Sequence, residues 1–531
     1  MRDQRSTARR AARFALVAAI LSGATTWTGT SLADEPRKAT EPNVLADSAV
    51  DLVAVADAFD ELNGFDLHVS LAFQHSARRA PILRETTINQ PGLASGGYLS
   101  DNLNVANYEE TTNRLIPAVD VGIYRDVALK LRLPIILSNT RRLESRDGSA
   151  KAGVASGTND FPVSLAGLPG ERLFSVPFEA PTRSGIEYLA VGLDFGIMNQ
   201  FRDPSKPTWV FGVEGRFNVS EPMHACNANP KAGQVECADP SDVNRNGTSG
   251  ELYDASIDAP LEGSRFSGSR KAGVSRGTTA LEGHTYVSKR IKYIEPYGGV
   301  SALLEFPTGG SDYGATDLQG ALVNHPPLRG SLLVGLAVVP WEVREKFQRV
   351  SFDFRFKGTY VSEGRDYSEL FDALGSSDAR SLRTPNFAEY KANTDGNGQV
   401  NNREPSVVDP DSRRVYFTGL TDVQQHGEYK LSAQFTWQAG EYVKLNLGGA
   451  WDIVQAHMIT FDQACNPDFV NDPTEAGPCK SNVAGSGERE SWVAAGIPNP
   501  ANRKVINDPG RRFRVGTSLG FDAWVRASVM F

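Results

Sequence analysis

The best candidate for ion chemistry is a run of amides and carboxylates: Asn393, Thr394, Asp395, Gly396, Asn397, Gly398, Gln399, Val400, Asn401, Asn402, Arg403 and Glu404. It matches the twelve-position calcium loop. Oxygen donors stand at positions 1, 3, 5 and 12, Gln399 is at position 7, a glycine at 6 and an apolar residue at 8. Asn393 replaces the usual first aspartate and removes one charge. Asp242, Asn244, Asn246 and Gly247 open a second, similar run, but its next carboxylate, Glu251, comes two positions early. Turn-rich Asn/Gly sequence accounts for both runs equally simply. Hydrolytic chemistry would need a base. The best of seven histidines is His457, with Asp452 and Asp462 near it in sequence; His68 and His284 also lie on candidate strands. No Gly-x-Ser-x-Gly elbow lies near His457 in sequence, so a non-enzyme is expected. The four cysteines form two close pairs, Cys226/Cys237 and Cys465/Cys479. Their polar surroundings suggest two local disulfides in an oxidising compartment. Zinc-type C-x₂₋₄-C spacing is absent.

Within the candidate strands, charges gather on one side of a strict alternation. In the last twenty residues Phe513, Val515, Thr517, Leu519, Phe521, Ala523, Val525, Ala527, Val529 and Phe531 form one face. Arg512, Arg514, Asp522, Trp524 and Arg526 belong to the other. This period-2 pattern is far longer than an ordinary strand of about five or six residues. It recurs at 65–76, 113–124, 127–139, 186–200, 208–219, 328–341, 348–361, 427–438 and 442–455, and more weakly at 279–292 and 296–306. Twelve strands result. They are joined alternately by short turns and by long polar connections at 77–112, 140–185, 220–278, 307–327, 362–426 and 456–511. Tyr124, Phe201, Trp209, Trp341, Trp437, Tyr442 and Phe531 fall beside the short turns, as a membrane-interface belt would require. The expected fold is all-β: an antiparallel transmembrane barrel of about 12 strands, over 65–531, with long extracellular loops.

That register points Asp66, His68, Asp120, Lys130, Arg132, Asp194, Glu214, Arg216, Asp353, Arg355, Lys357, Lys430, Lys444, Asp452, Arg514, Asp522 and Arg526 inward. So many charges need water or ion pairs. Two readings remain open: a hydrated pore that screens small polar solutes, or a ladder of salt bridges that closes the barrel.

Residues 1–33 read as a secretory signal. Arg2, Arg5, Arg9, Arg10 and Arg13 precede an apolar run, and Ser31 and Ala33 frame a cleavage site. The segment carries five Arg and one Asp, so its removal takes the net charge from −8 to −12. A chain this acidic is no general nucleic-acid binder. Within 34–64, Leu45, Ala49, Leu52, Ala56 and Phe59 recur at helical spacing over 43–63. This predicts a short helix, placed as a plug in the periplasmic mouth or on its rim.

The terminal strand, with Val525, Ala527, Val529 and a final Phe531, resembles that of Gram-negative outer-membrane β-barrel proteins. The resemblance covers the signal, this strand and the general strand plan. It implies an outer-membrane location, contact with membrane lipid and recognition by the barrel-assembly machinery. It carries no catalytic residue and no solute. A channel for small hydrophilic or amphipathic solutes is expected, with a scaffold or adhesion barrel as the alternative and a hydrolase behind both.

Overall fold

The computed structural model describes residues 48–58, 65–89, 98–145, 172–230, 236–237, 239, 270–313, 321–343, 346–377, 379–383, 390–391, 407–408, 417–440, 442–466, 497–499 and 501–531. The signal segment, the 393–404 and 242–251 runs, and Cys479 lie outside these residues, as does the side chain of Cys465. The other expected disulfide, Cys226–Cys237, is formed, with Cα atoms 4.2 Å apart.

Twelve strands close a barrel. They are β1 (Leu67–Asn89), β2 (Tyr98–Tyr124), β3 (Val127–Arg132, resumed as Ile135–Glu144), β4 (Leu189–Met198, preceded by Arg183–Ile186), β5 (Thr208–Phe217) and β6 (Thr278–Ser288). Then follow β7 (Ile294–Pro307), β8 (Arg329–Val343), β9 (Gln348–Val361), β10 (His426–Gln438), β11 (Val443–Val454) and β12 (Ser518–Met530). Each pairs antiparallel with the next, and β12 returns to β1 from His68↔Met530 to Arg79↔Leu519. Leu67 and Phe531 exchange both backbone hydrogen bonds, at 3.0 and 2.9 Å, and fasten the seam. Closure leaves no free sheet edge within the membrane, where an unpaired backbone group would cost several kcal/mol.

The period-2 alternation sorts the side chains. Leu71, Leu332, Phe354, Leu431, Leu447, Trp451 and Phe521 are exposed on the outer wall, where lipid replaces water. Tyr124, Trp209, Trp341, Trp437, Tyr442 and Phe531 are exposed along the short-turn rim. Arg125 and Asp126 make the tightest of these turns, with Asp126 at a positive φ of 54°, a conformation Asp tolerates better than most residues.

Three expectations need correction. First, 77–112 is mainly strand rather than loop: β1 and β2 pair to Asn89↔Tyr98, with one register shift between Ile82 and Leu83. Second, the expected N-terminal helix does not form in the described part; residues 48–58 run as turns and extended chain inside the barrel. Third, the last alternation is broken. A short strand, Phe513–Val515, pairs as Ile82↔Val515, one residue out of step with Arg79↔Leu519. A one-residue slip exchanges the two faces. Phe513 and Val515 are therefore fully buried beside Ile82 rather than facing lipid. Arg514, expected to line the lumen, pairs with Leu83 on the opposite face.

The described parts of the long connections fold over the outer mouth. They carry helices α1 (Phe371–Gly375), α2 (Arg380–Arg383) and α3 (Lys504–Asn507). Leu173, Phe174, Leu370, Leu374, Leu382, Ile459, Val505 and Ile506 pack there against Ala80, Ile82, Ala106 and Tyr108 of β1 and β2. This cap has its own apolar core, tied by a buried ion pair, Arg183–Asp372 at 2.5 Å.

Candidate functional site: the barrel lumen

Adjacent strands place their inward residues in rows around the wall. One row runs Leu333, Lys357, Lys430, Asp452, Gly520, Arg78, Glu110 and Arg141. Another runs Met530, His68, Asp120, Lys130, Gly192, Glu214 and Glu282. Period-2 geometry alone brings these charges together from across the chain.

Most lumen carboxylates meet a cation. Asp194 pairs with Lys130 at 2.5 Å and His284 at 3.2 Å. Glu214 pairs with Arg132 at 2.5 Å and Arg216 at 2.8 Å, and Arg216 also holds Glu282. Arg355 pairs with Asp353 at 2.7 Å, and the Tyr297 hydroxyl donates to that carboxylate at 2.5 Å. Lys430 bridges Asp522 and Asp452. Lys357 and Asp120 stand apart, with no ion-pair partner within 4 Å among the described residues.

Among the described residues, two chambers stand out in the lumen. The lower, of about 330 Å³, gathers the expected Asp120, Lys130, Arg132, Asp194, Glu214, Arg355, Lys444 and Arg526, together with His68 and His284. The upper, of about 380 Å³, gathers Lys357, Lys430, Asp452 and Asp522. Arg216 and Asp353 face inward through their pairs without lining either cavity. Asp66 sits below, at the short-turn rim, accepting from the backbone of Asp57 at 3.2 Å.

The lower mouth is filled by residues 48–58. Ala49, Val50 and Val53 pack against Val210, Tyr297, Leu333, Ala337 and Val339. Ser48 and the Ala49 amide donate to Glu295, and Asp51 pairs with Lys444 and with Arg526 at 3.6 Å. Gln434 and Asn446 add bonds to Asp51 at 3.3 and 3.2 Å. Gly122 is required where the plug crosses the rim, because a Cβ there would lie 1.9 Å from the Asp57 carbonyl oxygen. At the upper mouth, Arg78 reaches Glu369 of the cap at 2.5 Å.

Sequence reasoning missed several of these groups. Arg78 and Glu110 lay in a stretch read as loop, Asp51 on the polar side of an expected helix, and Glu282 on a weakly alternating strand. The hydrolase candidates do not assemble. His457 stacks on His426 with ring centroids 3.7 Å apart and donates to the Gln455 carbonyl at 2.8 Å. Asp452 and Asp462 each engage other groups: Lys430 for the first, Asn499 for the second.

An antiparallel barrel with an apolar outer wall, an aromatic rim and a polar interior is a transmembrane β-barrel of the Gram-negative outer membrane. Among solved structures, the chain is similar to an outer membrane channel from Pseudomonas putida F1, at 8% identity over 88% of this chain and 96% of that one, with a TM-score of 0.30. It is also similar to a FadL homologue from Pseudomonas aeruginosa, at 8% over 94% and 95% with a TM-score of 0.28. The Pseudomonas putida toluene transporter TodX aligns at 11% over 88% and 90% with a TM-score of 0.26. No family model matches the chain. No curated protein matches it either. The class rests on the barrel itself, not on these likenesses.

Proposed function

We propose that the protein is an outer-membrane channel for small hydrophilic or amphipathic solutes, which cross by diffusion through the charged lumen. The observation that carries this reading is the pair of polar chambers stacked inside the barrel. A barrel that served only as a scaffold needs no such spaces. Residues 48–58 act as a removable plug. They are attached by the apolar contact of Ala49, Val50 and Val53 and by polar contacts to Glu295, Lys444 and Arg526, rather than by strand pairing along the wall. Small shifts of such contacts move a plug at a cost of a few kcal/mol.

Single-channel recording in planar bilayers tests the proposal. The wild-type protein is expected to show small, infrequent openings. Asp51→Ala removes the carboxylate that holds Lys444 and Arg526, and is expected to raise open probability several-fold. Silent membranes for both proteins would reject the channel. The long loops and the ion-paired wall would then describe a non-conducting scaffold.

A further inference from the structure

The two chambers share no lining residue, and Trp524, with Gln74 and Gly448, is placed between them as the largest side chain of the three. On β12, Asp522 lines the upper chamber and Arg526 the lower. Trp524 lies between them on the same inward face. On β1, Ser76 lines the upper chamber and Ala72 the lower, with Gln74 between, directly paired with Trp524. The same division falls between Asp452 and Lys444 on β11, where Gly448 pairs with Trp524 from the other side.

The indole lies across Gly448. A Cβ built there would be 2.2 Å from the indole Cε2 and Cζ2 atoms. Beyond Gly448, the indole N–H donates to Gln434 Oε1 of β10 at 3.1 Å. The side chain thus spans from β12 over β11 to β10, fixed at both ends. Trp524 belongs to none of the apolar clusters of the described residues. A hydrogen-bonded tip and a glycine that makes room for the ring describe a held position rather than an accidental one.

We propose that Trp524 is the size filter of the channel: its indole, seated on Gly448 and held by Gln434, sets the passage between the chambers and limits it to compact solutes. The inference rests on the channel reading above. It makes two opposed predictions. Trp524→Ala joins the chambers and widens the passage. Gly448→Ala leaves the indole no seat. The barrel wall lies behind it, so the ring moves toward the axis and narrows the passage.

The test is made in full-length protein carrying Asp51→Ala, so that the plug does not limit flow. Conductance and liposome swelling with a graded series of sugars, from pentose to trisaccharide, are read for each variant. Heat-modifiable migration in gels checks that each barrel is closed. Trp524→Ala is expected to raise conductance at least two-fold and to admit sugars one size larger. Gly448→Ala is expected to lower conductance by a similar factor. The double variant should match Trp524→Ala, and Trp524→Phe, which keeps a smaller ring without the bond to Gln434, should fall between the background and Trp524→Ala. Conductance in the Asp51→Ala background that neither substitution changes would overturn the filter while leaving the channel intact. Silence of the background and of Trp524→Ala alike would overturn both.

Discussion

Asp422 and Asp462 show how a single carboxyl can set the limits of the cap. Both are buried, and Arg365 approaches Asp422 only to 3.9 Å. Burial and the neighbouring Asp462 push the Asp422 carboxyl well above its usual range. The folded cap therefore holds a proton that the unfolded chain releases. For a raised carboxyl, stability is full below the unfolded value near 3.8 and falls as pH rises toward the folded value. The loss is about 1.4 kcal/mol per pH unit within that window. Asp366 works in the other direction. Burial would raise it, but Arg276 and Arg329 hold it below its usual value, so its contribution is lost only in acid. Hydrogen exchange of residues 417–424, corrected for intrinsic rates, is expected to quicken between pH 5 and pH 8. Asp422→Asn should flatten that dependence and slow exchange at pH 8, by on the order of 1–3 kcal/mol in opening free energy. A profile that the substitution leaves unchanged would show that the pair carries no shared proton.

At the scale of the strand, the two faces differ in what they tolerate. Leu447 is 53% exposed on the outer wall of β11, while Ser432 faces inward on neighbouring β10. Leu447→Arg places a guanidinium against lipid and is expected to cost about 2–4 kcal/mol near the bilayer midplane. Ser432→Asn stays in a hydrated space and is expected to cost less than about 1 kcal/mol. Urea titration in lipid vesicles reads both; equal losses would contradict the assigned faces. The same contrast explains what the sequence could reveal. Alternation was legible wherever lipid lay on one side and water on the other, which placed all twelve strands. It vanished in 77–112 because the hairpin leaves the membrane there. Arg79 and Glu109, 3.0 Å apart, then face outward as Arg78 and Glu110 face inward, and neither face is apolar. The apolar cap residues were equally hidden. Leu173, Leu370, Ile459 and Val505 come from separate loops and share no period. Residues 48–58 carried a helical pattern, but the wall offers Glu295, Lys444 and Arg526 as partners, and such tertiary contacts outweigh propensities of a few tenths of a kcal/mol per residue.

For the whole molecule, the balance of lumen charge decides which ions the channel distinguishes. The upper chamber is lined by Arg78, Arg114, Lys357 and Lys430 against Glu110, Glu428, Asp452 and Asp522. The lower sets Lys130, Arg132, Arg355, Lys444 and Arg526 against Asp51, Asp120, Asp194, Glu214 and Glu282. Each chamber is formally neutral with its histidines uncharged, although the chain as a whole carries −8. Paired charges present little net field to a passing ion. Under a tenfold potassium chloride gradient the reversal potential is expected within roughly 10 mV of zero, far from the ~59 mV of a perfectly selective pore. Lys357 is the residue through which this balance can be changed, since among the described residues no carboxylate lies within 4 Å of its ammonium. Lys357→Glu exchanges one positive for one negative charge in the upper chamber. The reversal potential should then move by tens of millivolts toward the cation limit, and the shift should shrink as salt is raised from 0.1 to 1 M, where the screening length falls from about 10 to about 3 Å. Strong selectivity in the wild-type protein, or none gained in Lys357→Glu, would mean that ions take a path that avoids these chambers.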